Sequence, residues 1–426
     1  MAKNSAFFGI SVFSALLAFA PSASARRISD ERGFEYEVRF TNPDCRAYRY
    51  AEEVRDAGGR RLTGPRPGAF CTRADYAKSI QRDASVFAKI AEWIEAPTTK
   101  SLFLSSLSFS ESRVGELLCK AARRGVKVEF VLDSGTDAAQ ANKLKACSPR
   151  IQVHFRGNQG GLGFAHIKLL IVNPDDRETL RIAYGSANYS SGVSLHHENW
   201  SFVTVPAESH FAQAHLCARE GLVKHAASKA SFAAHMRACR SDIDVAEEED
   251  LKAYFAPAEG AAASKALIDS VARAREIRVA AHRFSYGKLL QSLRNRLLGG
   301  AQVKLVVDDD TYWAGMGVAA GDNSAAEDRA VKDLEKVGLD ARFVQTNHFD
   351  GLLHHNKFAV MSDRSGSVVF TGAGNFTNAA FSDNFENFYL VNIPAVGEAY
   401  LKQHRHLSEA LALPREGLPT KNVPVR

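Results

Sequence analysis

The sequence predicts an α/β protein of two similar halves, each a mixed sheet covered by helices. Two observations carry this: strands alternate with helical stretches, and the whole alternation occurs twice. Around 101–133 the chain reads SLFLSSLSFS, a helical stretch, then RRGVKVEFVLD; around 276–308 it reads EIRVAAHRFS, a helical stretch, then GGAQVKLVVD. Each block is an apolar strand, a helix of period near 3.6 and a β-branched strand ending in Asp. Phe109-Ser110 matches Phe284-Ser285, and Asp133 matches Asp308, at a constant offset of 175. Strands joined through helices favour parallel or mixed sheets.

The match resumes downstream. FAHIKLLIVN (164–173) pairs with LHHNKFAVMS (353–362), AYGSANYSS (183–191) with FTGAGNFTN (370–378), and HENWSFVTV (197–205) with FENFYLVNI (385–393). The offset there is 187–189, so the second copy carries about 14 extra residues between Asp308 and His355. The chain divides into a signal peptide (1–25), an N-terminal extension with Cys45 and Cys71 (26–85), a first half (86–205), a helical linker (206–250) and a second half (251–426). The extension has no counterpart in the repeat. The linker is Ala-rich and ends in the acidic run 247–250, read as a solvated face.

Composition excludes fibrous and disordered classes: of 426 residues, 45% are hydrophobic and 24% charged, with ordinary Gly and Pro usage. The net charge of +6 is spread along the chain, which suits an anionic substrate without singling out nucleic acid. Residues 1–25 hold one charge, Lys3, an apolar run from Phe7 to Ala20, and Ala23-Ser24-Ala25. That order is a secretory signal peptide, and the run is too short for the roughly 20 apolar residues of a membrane span. A secreted or periplasmic protein follows. Its six cysteines (Cys45, Cys71, Cys119, Cys147, Cys217, Cys239) then read as disulfides. Their similar spacings favour neighbour pairing. No C-x-x-C or paired Cys/His spacing points to zinc, and no metal or cofactor is expected.

The chemistry lies in a duplicated constellation. Each half has H-x-K, as His166-Ile167-Lys168 and His355-Asn356-Lys357. Residues two apart on a strand share a face, so His and Lys address one pocket. Then come Gly185-Ser186-Ala187-Asn188 and Gly372-Ala373-Gly374-Asn375, and after them Glu198 and Glu386, each followed by Asn and an aromatic residue. A lone H-x-K carries no signal; the ordered set occurring twice does. Lys168, Lys357 and the donors Ser186, Asn188 and Asn375 suit the non-bridging oxygens of a phosphodiester. One imidazole can attack phosphorus while the other protonates the leaving oxygen. Glu198 and Glu386 would hold the ring tautomers and stabilise the imidazolium.

These residues resemble the phospholipase D superfamily, whose signature is H-x-K-x4-D followed by G-S-x-N. The resemblance covers about Val86–Ala395 and includes Tyr254-Phe255-Ala256-Pro257 at the entry to the second half. It implies a two-lobed αβαβα sandwich with one active site at the pseudo-twofold interface. It also implies a phosphohistidine intermediate, with His166 as nucleophile and His355 as general acid. A monomer is expected, since both copies lie in one chain. Three positions depart from the pattern: Asn173 and Ser362 stand at the motif Asp, and Ala373 replaces Ser. The family uses that Asp for structure more than chemistry, and Asp175 or Asp363 are candidates to substitute.

Weaker features are assigned structural or peripheral roles. GNQGGLGFAH (157–166) reads as a flexible lip. Asp308-Asp309-Asp310 suggests a metal, but the match of Asp308 with Asp133 at a strand end favours structure. TYWAGMGVAAGDN (311–323) suits a lid or membrane contact, with packing under a loop favoured over both. His282, where the first copy has Leu107, stays outside the catalytic set. The expected function is a metal-independent phosphodiesterase, in the first instance a phospholipase D that works at a phospholipid membrane surface and releases phosphatidic acid. The alternatives are a nuclease acting on DNA or RNA and a catalytically degenerate phosphate-binding protein.

Overall fold

A computed structural model describes residues 27–66, 68–76, 85–157, 163–190, 192–319 and 324–426. The signal peptide expected at 1–25 and residues 158–162 of the glycine-rich lip lie outside the described residues. In chain order the first half contains β1 (Arg27–Ser29), β2 (Glu35–Thr41), the small hairpin β3 (Val54–Arg55) and β4 (Arg61–Leu62), then β5 (Ser101–Ser106) and β6 (Lys127–Asp133). It continues with β7 (Ile151–Arg156), β8 (Leu169–Val172), β9 (Thr179–Gly185) and β10 (Glu198–Pro206). The second half contains β11 (Leu251–Ala256), β12 (Glu276–Ala281), β13 (Gln302–Asp308) and β14 (Asp340–Val344). It ends with β15 (Lys357–Ser362), β16 (Ser367–Gly372), β17 (Glu386–Val391) and β18 (Ala412–Pro414).

Two eight-stranded mixed sheets result. Their orders are β1-β2-β10-β9-β8-β5-β6-β7 and β11-β17-β16-β15-β12-β13-β14-β18. In both, a parallel trio (β5-β6-β7, β12-β13-β14) adjoins an antiparallel set, as the repeat predicts. The topology also corrects one expectation. The extension is not outside the repeat, because β2 pairs antiparallel with β10 as β11 pairs with β17. Thr41 faces Glu198 where Ala256 faces Glu386, so β2 is the structural counterpart of β11. It went unseen because the shared feature is a strand register, with little shared sequence.

The layers follow from which faces are apolar. In the helix Ser112–Arg123, Val114, Leu117, Leu118, Ala121 and Ala122 form one buried stripe at helical spacing, and this face lies on the outer side of the first sheet. Gly260–Arg273 and Gly287–Leu298 cover the second sheet in the same way. Between the sheets lie His210–Glu220, which packs on β10 and β11, and Pro394–Arg405, which packs on β2, β15 and β16. One core runs through this middle layer and takes side chains from both halves, with Tyr184 stacked on Tyr389 at 3.4 Å between ring centroids. The αβαβα sandwich is therefore a single packed body, and the inner sheet ends meet face to face.

All six cysteines pair with their neighbours, as Cys45–Cys71, Cys119–Cys147 and Cys217–Cys239. The second staples two outer helices of the first half, and the third staples the two linker helices. No helix among the described residues is long and apolar enough to cross a membrane.

Candidate active site

The site forms where the loops entering β8 and β15 cross between the halves. His166 N–H donates to the Phe385 carbonyl and Phe385 N–H to the Phe164 carbonyl, both at 2.9 Å. The other copy repeats this: His355 N–H donates to the His197 carbonyl at 2.9 Å and His197 N–H to the Leu353 carbonyl at 3.0 Å. Each histidine loop thus pairs with the strand entry of the opposite half. The strand-end aspartates brace these loops: Asp133 accepts from Ala165 N–H at 2.7 Å and Asp308 from His354 N–H at 2.5 Å. These are the residues immediately before the two histidines, so a buried carboxylate at the end of β6 and of β13 fixes where each imidazole starts.

The carboxylates cross over. His166 Nδ1 lies 2.6 Å from Glu386 Oε2, and His355 Nδ1 lies 2.7 Å from Glu198 Oε1. With Nδ1 held by a carboxylate, Nε2 of each ring is left to face a substrate. The asparagines that follow cross as well. Asn387 accepts from Lys168 N–H and donates to its carbonyl (3.1 and 3.2 Å), while Asn199 accepts from Lys357 N–H at 3.1 Å and donates to Thr371. The Glu-Asn pair therefore grips both ends of the other half's H-x-K. Sequence reasoning noted Asn199 and Asn387 without giving them a task; their recurrence beside both glutamates was the available signal. The G-[SA]-x-N glycines permit this closeness: a Cβ at Gly185 would meet the Asn199 carbonyl at 2.2 Å, and one at Gly372 the Asn387 carbonyl at 2.1 Å.

His166, Lys168, His355, Lys357, Glu198 and Glu386 are all brought together, and all are buried. Each lysine Nζ donates to the carbonyl of its own histidine at 2.9 Å. Burial dominates the electrostatics. It pushes His166 down to about 4 against the pull of Glu386, His355 well below the usual range, Lys168 down to about 8, and Lys357 well down. Burial thus favours the neutral form of both imidazoles.

The remaining predicted residues take different places in the two copies. Ser186 points at Glu198, donating to Oε2 at 2.5 Å, and is fully buried. Ala373 has no hydroxyl, yet Glu386 is still held, since Asn384 donates to its Oε1 at 3.0 Å. Asn188 accepts a 3.4 Å bond from Ser106, whereas the second copy has Ala281 at the position matching Ser106, and Asn375 keeps Oδ1 without a hydrogen-bond partner among the described residues. Both asparagines are half-buried.

The substituted motif positions sit away from the reacting groups. Asn173, at φ 55°, accepts from Lys100 and Ser101 N–H and donates to the Thr98 carbonyl. Asn173 thereby ties the end of β8 to the start of β5. Ser362 pairs with Ser367. Asp175 reaches Arg219 and Asp363 caps Ser365, so neither takes the place of the motif Asp. Tyr312 and Trp313 are buried, with Trp313 donating to Asp309, which makes this part of the inserted segment ordinary packing. His282, left out of the set, is in the site: its ring centroid lies 4.9 Å from that of His355.

Two H-x-K strands in a two-sheet sandwich, each clasped by the other half's Glu-Asn, define the phospholipase-D-like class. The chain belongs to the family described as "Cardiolipin synthase, PLD-like domain", whose model matches residues 92–216 and 266–407. Among curated proteins it is 29% identical over 153 residues to the mitochondrial cardiolipin hydrolase of Xenopus laevis, covering 36% of this chain and 64% of that one. Among solved structures it is similar to the phosphatidylserine synthase of Haemophilus influenzae Rd KW20 (TM-score 0.54, 13% identity, 78% of this chain and 85% of that one). It also resembles the phospholipase D family member Nuc from Salmonella typhimurium (TM-score 0.32, 23% identity, 38% of this chain and 96% of that one).

Proposed function

We propose that the protein is an exported phosphodiesterase of the phospholipase D type that hydrolyses glycerophospholipid head groups to phosphatidic acid, one chain providing the whole site. The observation that carries the reading is the pair of crossed His–Glu contacts, in which each Nδ1 is held by a carboxylate of the other half and each Nε2 is turned away from it. In the first step His166 Nε2 attacks phosphorus, the bond from phosphorus to the head-group oxygen breaks, and that oxygen takes a proton from His355 Nε2. Loading His355 with that proton falls to the approach of the anionic phosphodiester and to Glu198, which together favour the imidazolium that burial disfavours. In the second step water attacks the phosphohistidine, gives a proton to His355, and the P–N bond breaks. Lys168, Lys357 and the amides of Asn188 and Asn375 bear the charge on the non-bridging oxygens.

Support for lipid comes from two directions. The relative in Xenopus laevis is named for cardiolipin, a lipid phosphodiester. Among the few exposed large apolar side chains, Phe164 and Phe349 stand on the loops that lead into His166 and His355, where a lipid surface would meet the site. Export is supported by the three disulfides, which persist in oxidising compartments.

The test uses mixed phospholipid vesicles with EDTA and a little ethanol. The reading expects phosphatidic acid together with phosphatidylethanol, both lost in H166A and in H355A. Folded protein that yields neither product overturns the lipid assignment. Cleavage of plasmid DNA or RNA in EDTA by the same preparation then marks a nuclease, and its lack a phosphate-binding protein.

A further inference from the structure

The surroundings of the two histidines differ also in their imidazoles. Around His355 stand two more imidazoles, His282 and His196, with ring centroids 4.9 and 5.7 Å away. The repeat has Leu107 and Asn384 at the matching places near His166.

The orientation of His196 is informative. Its Nε2 lies 2.8 Å from the Gly351 carbonyl, which can only accept, so Nε2 carries the hydrogen. Its Nδ1 then turns inward, where it makes no hydrogen bond among the described residues. That nitrogen faces Glu198 Oε1 at 3.4 Å, the same oxygen that holds His355 Nδ1 at 2.7 Å. Two acceptor atoms facing each other repel unless a cation lies between them. His282 is 5% exposed, and neither of its ring nitrogens has a hydrogen-bond partner among the described residues. A neutral imidazole always keeps one lone pair, so His282 brings a further unused nitrogen to the same corner.

We propose that this corner is an inhibitory site for a divalent transition ion of the zinc type, held by His196 Nδ1, Glu198 and His355, with His282 beside them. The donor atoms of the first three lie within 4.8 Å of one another. In a tetrahedral zinc site with bonds of about 2.1 Å, neighbouring ligand atoms stand about 3.4 Å apart, the spacing His196 and Glu198 already have, while His355 Nδ1, at 2.7 Å from that oxygen, moves outward by about 0.7 Å on binding. Imidazoles with one carboxylate select zinc-type ions over magnesium or calcium, which prefer all-oxygen shells. Binding takes the Nδ1 lone pair of His355 and moves its proton to Nε2. No lone pair then remains to accept a proton from water or to attack phosphorus, and Glu198 is withdrawn from its supporting task. The four residues come from both halves and from distant parts of the chain, which is why Cys/His spacing gives no hint of the site.

The test titrates the EDTA-stripped, disulfide-intact protein with Co2+, read by its visible absorption, and then displaces it with Zn2+ against a chromogenic chelator. H196N and H282L place the other copy's residue at each position. D310N is the control for the buried Asp308–Asp310 cluster, whose oxygens are also closely spaced. The proposal expects one equivalent bound, an affinity lowered at least tenfold in H196N and by a smaller factor in H282L, and no change in D310N. Hydrolysis of bis(p-nitrophenyl) phosphate by the parent falls with the Zn2+ midpoint. H196Q, which also removes the Nδ1 ligand, replaces H196N if that variant does not fold. No uptake, uptake that survives the His196 substitution, or uptake lost in D310N overturns the proposal.

Discussion

The two halves do one job with different residues. Behind His166 stands Glu386, whose second oxygen is held by Asn384; behind His355 stands Glu198, whose second oxygen is held by Ser186. The donor comes from the residue two before the glutamate in one copy and from the G-[SA]-x-N turn in the other. What the repeat preserves is a requirement: both carboxylate oxygens need partners, because an unpaired buried oxygen is expensive. The loss of a serine at Ala373 is therefore no sign of a decayed site. The copies differ again in that His196 occupies the place of Asn384 and serves a different neighbourhood.

The largest expected effects test the roles of the two histidines. If the proposed reaction holds, removing either ring lowers turnover of a phospholipid by at least about a thousandfold, one ring serving there as nucleophile and the other as proton donor. With a p-nitrophenyl leaving group, which departs without protonation, H355A should release a burst of about one equivalent of p-nitrophenol before the second step stalls, while H166A should show no burst. The opposite pattern assigns the nucleophile to His355. E386Q and E198Q come next, each expected to cost about 10²–10⁴ in kcat by misplacing a tautomer. E386Q should follow H166A, and E198Q should follow H355A, in the leaving-group series.

Smaller effects sharpen the same comparison. S186A leaves one Glu198 oxygen short of a partner and should lower kcat by about tenfold, roughly the worth of one hydrogen bond to a charged group. A373S adds a hydroxyl where Asn384 already serves Glu386, so it should change kcat less than threefold; a large gain would show that Asn384 is an inadequate replacement. Stability should also depend on acidity. Burial holds His166 to about 4 and His215 and His404 each to about 3, against 6.5 for a free ring. Between pH 6.5 and 4 the unfolded chain binds protons that the folded one refuses, so the urea midpoint should fall as pH falls through that window. A midpoint that is flat there contradicts the buried neutral rings.

Most of the fold was legible because it is written twice. Matching strand and helix patterns, at an offset of 175 and then of 187–189, located β5, β6, β8–β10 and their partners in the second half, and even spacing ordered the cysteine pairs. What stayed hidden was held by geometry alone. β2 matches β11 only in its register on the neighbouring strand, and the crossing of the glutamates leaves no trace in the order of residues. His196 was obscured for the same reason, since its nearness to His355 depends on how the two halves meet, whereas His282 comes beside His355 through the pairing of β12 with β15. Asn173 shows the converse: a residue that departs from a motif still ties β8 to β5 with three hydrogen bonds, because its amide can both accept and donate.

The crossing is the centre of this account, and proton NMR of ¹⁵N-histidine-labelled protein reaches it directly. His166 and His355 should each give a low-field Nδ1 proton resonance, assigned by its loss in H166Q or H355Q. E386Q should abolish the His166 resonance and spare that of His355, and E198Q should do the reverse. If each glutamate substitution instead removes the resonance of the histidine in its own half, the two halves do not share their catalytic groups in the way described.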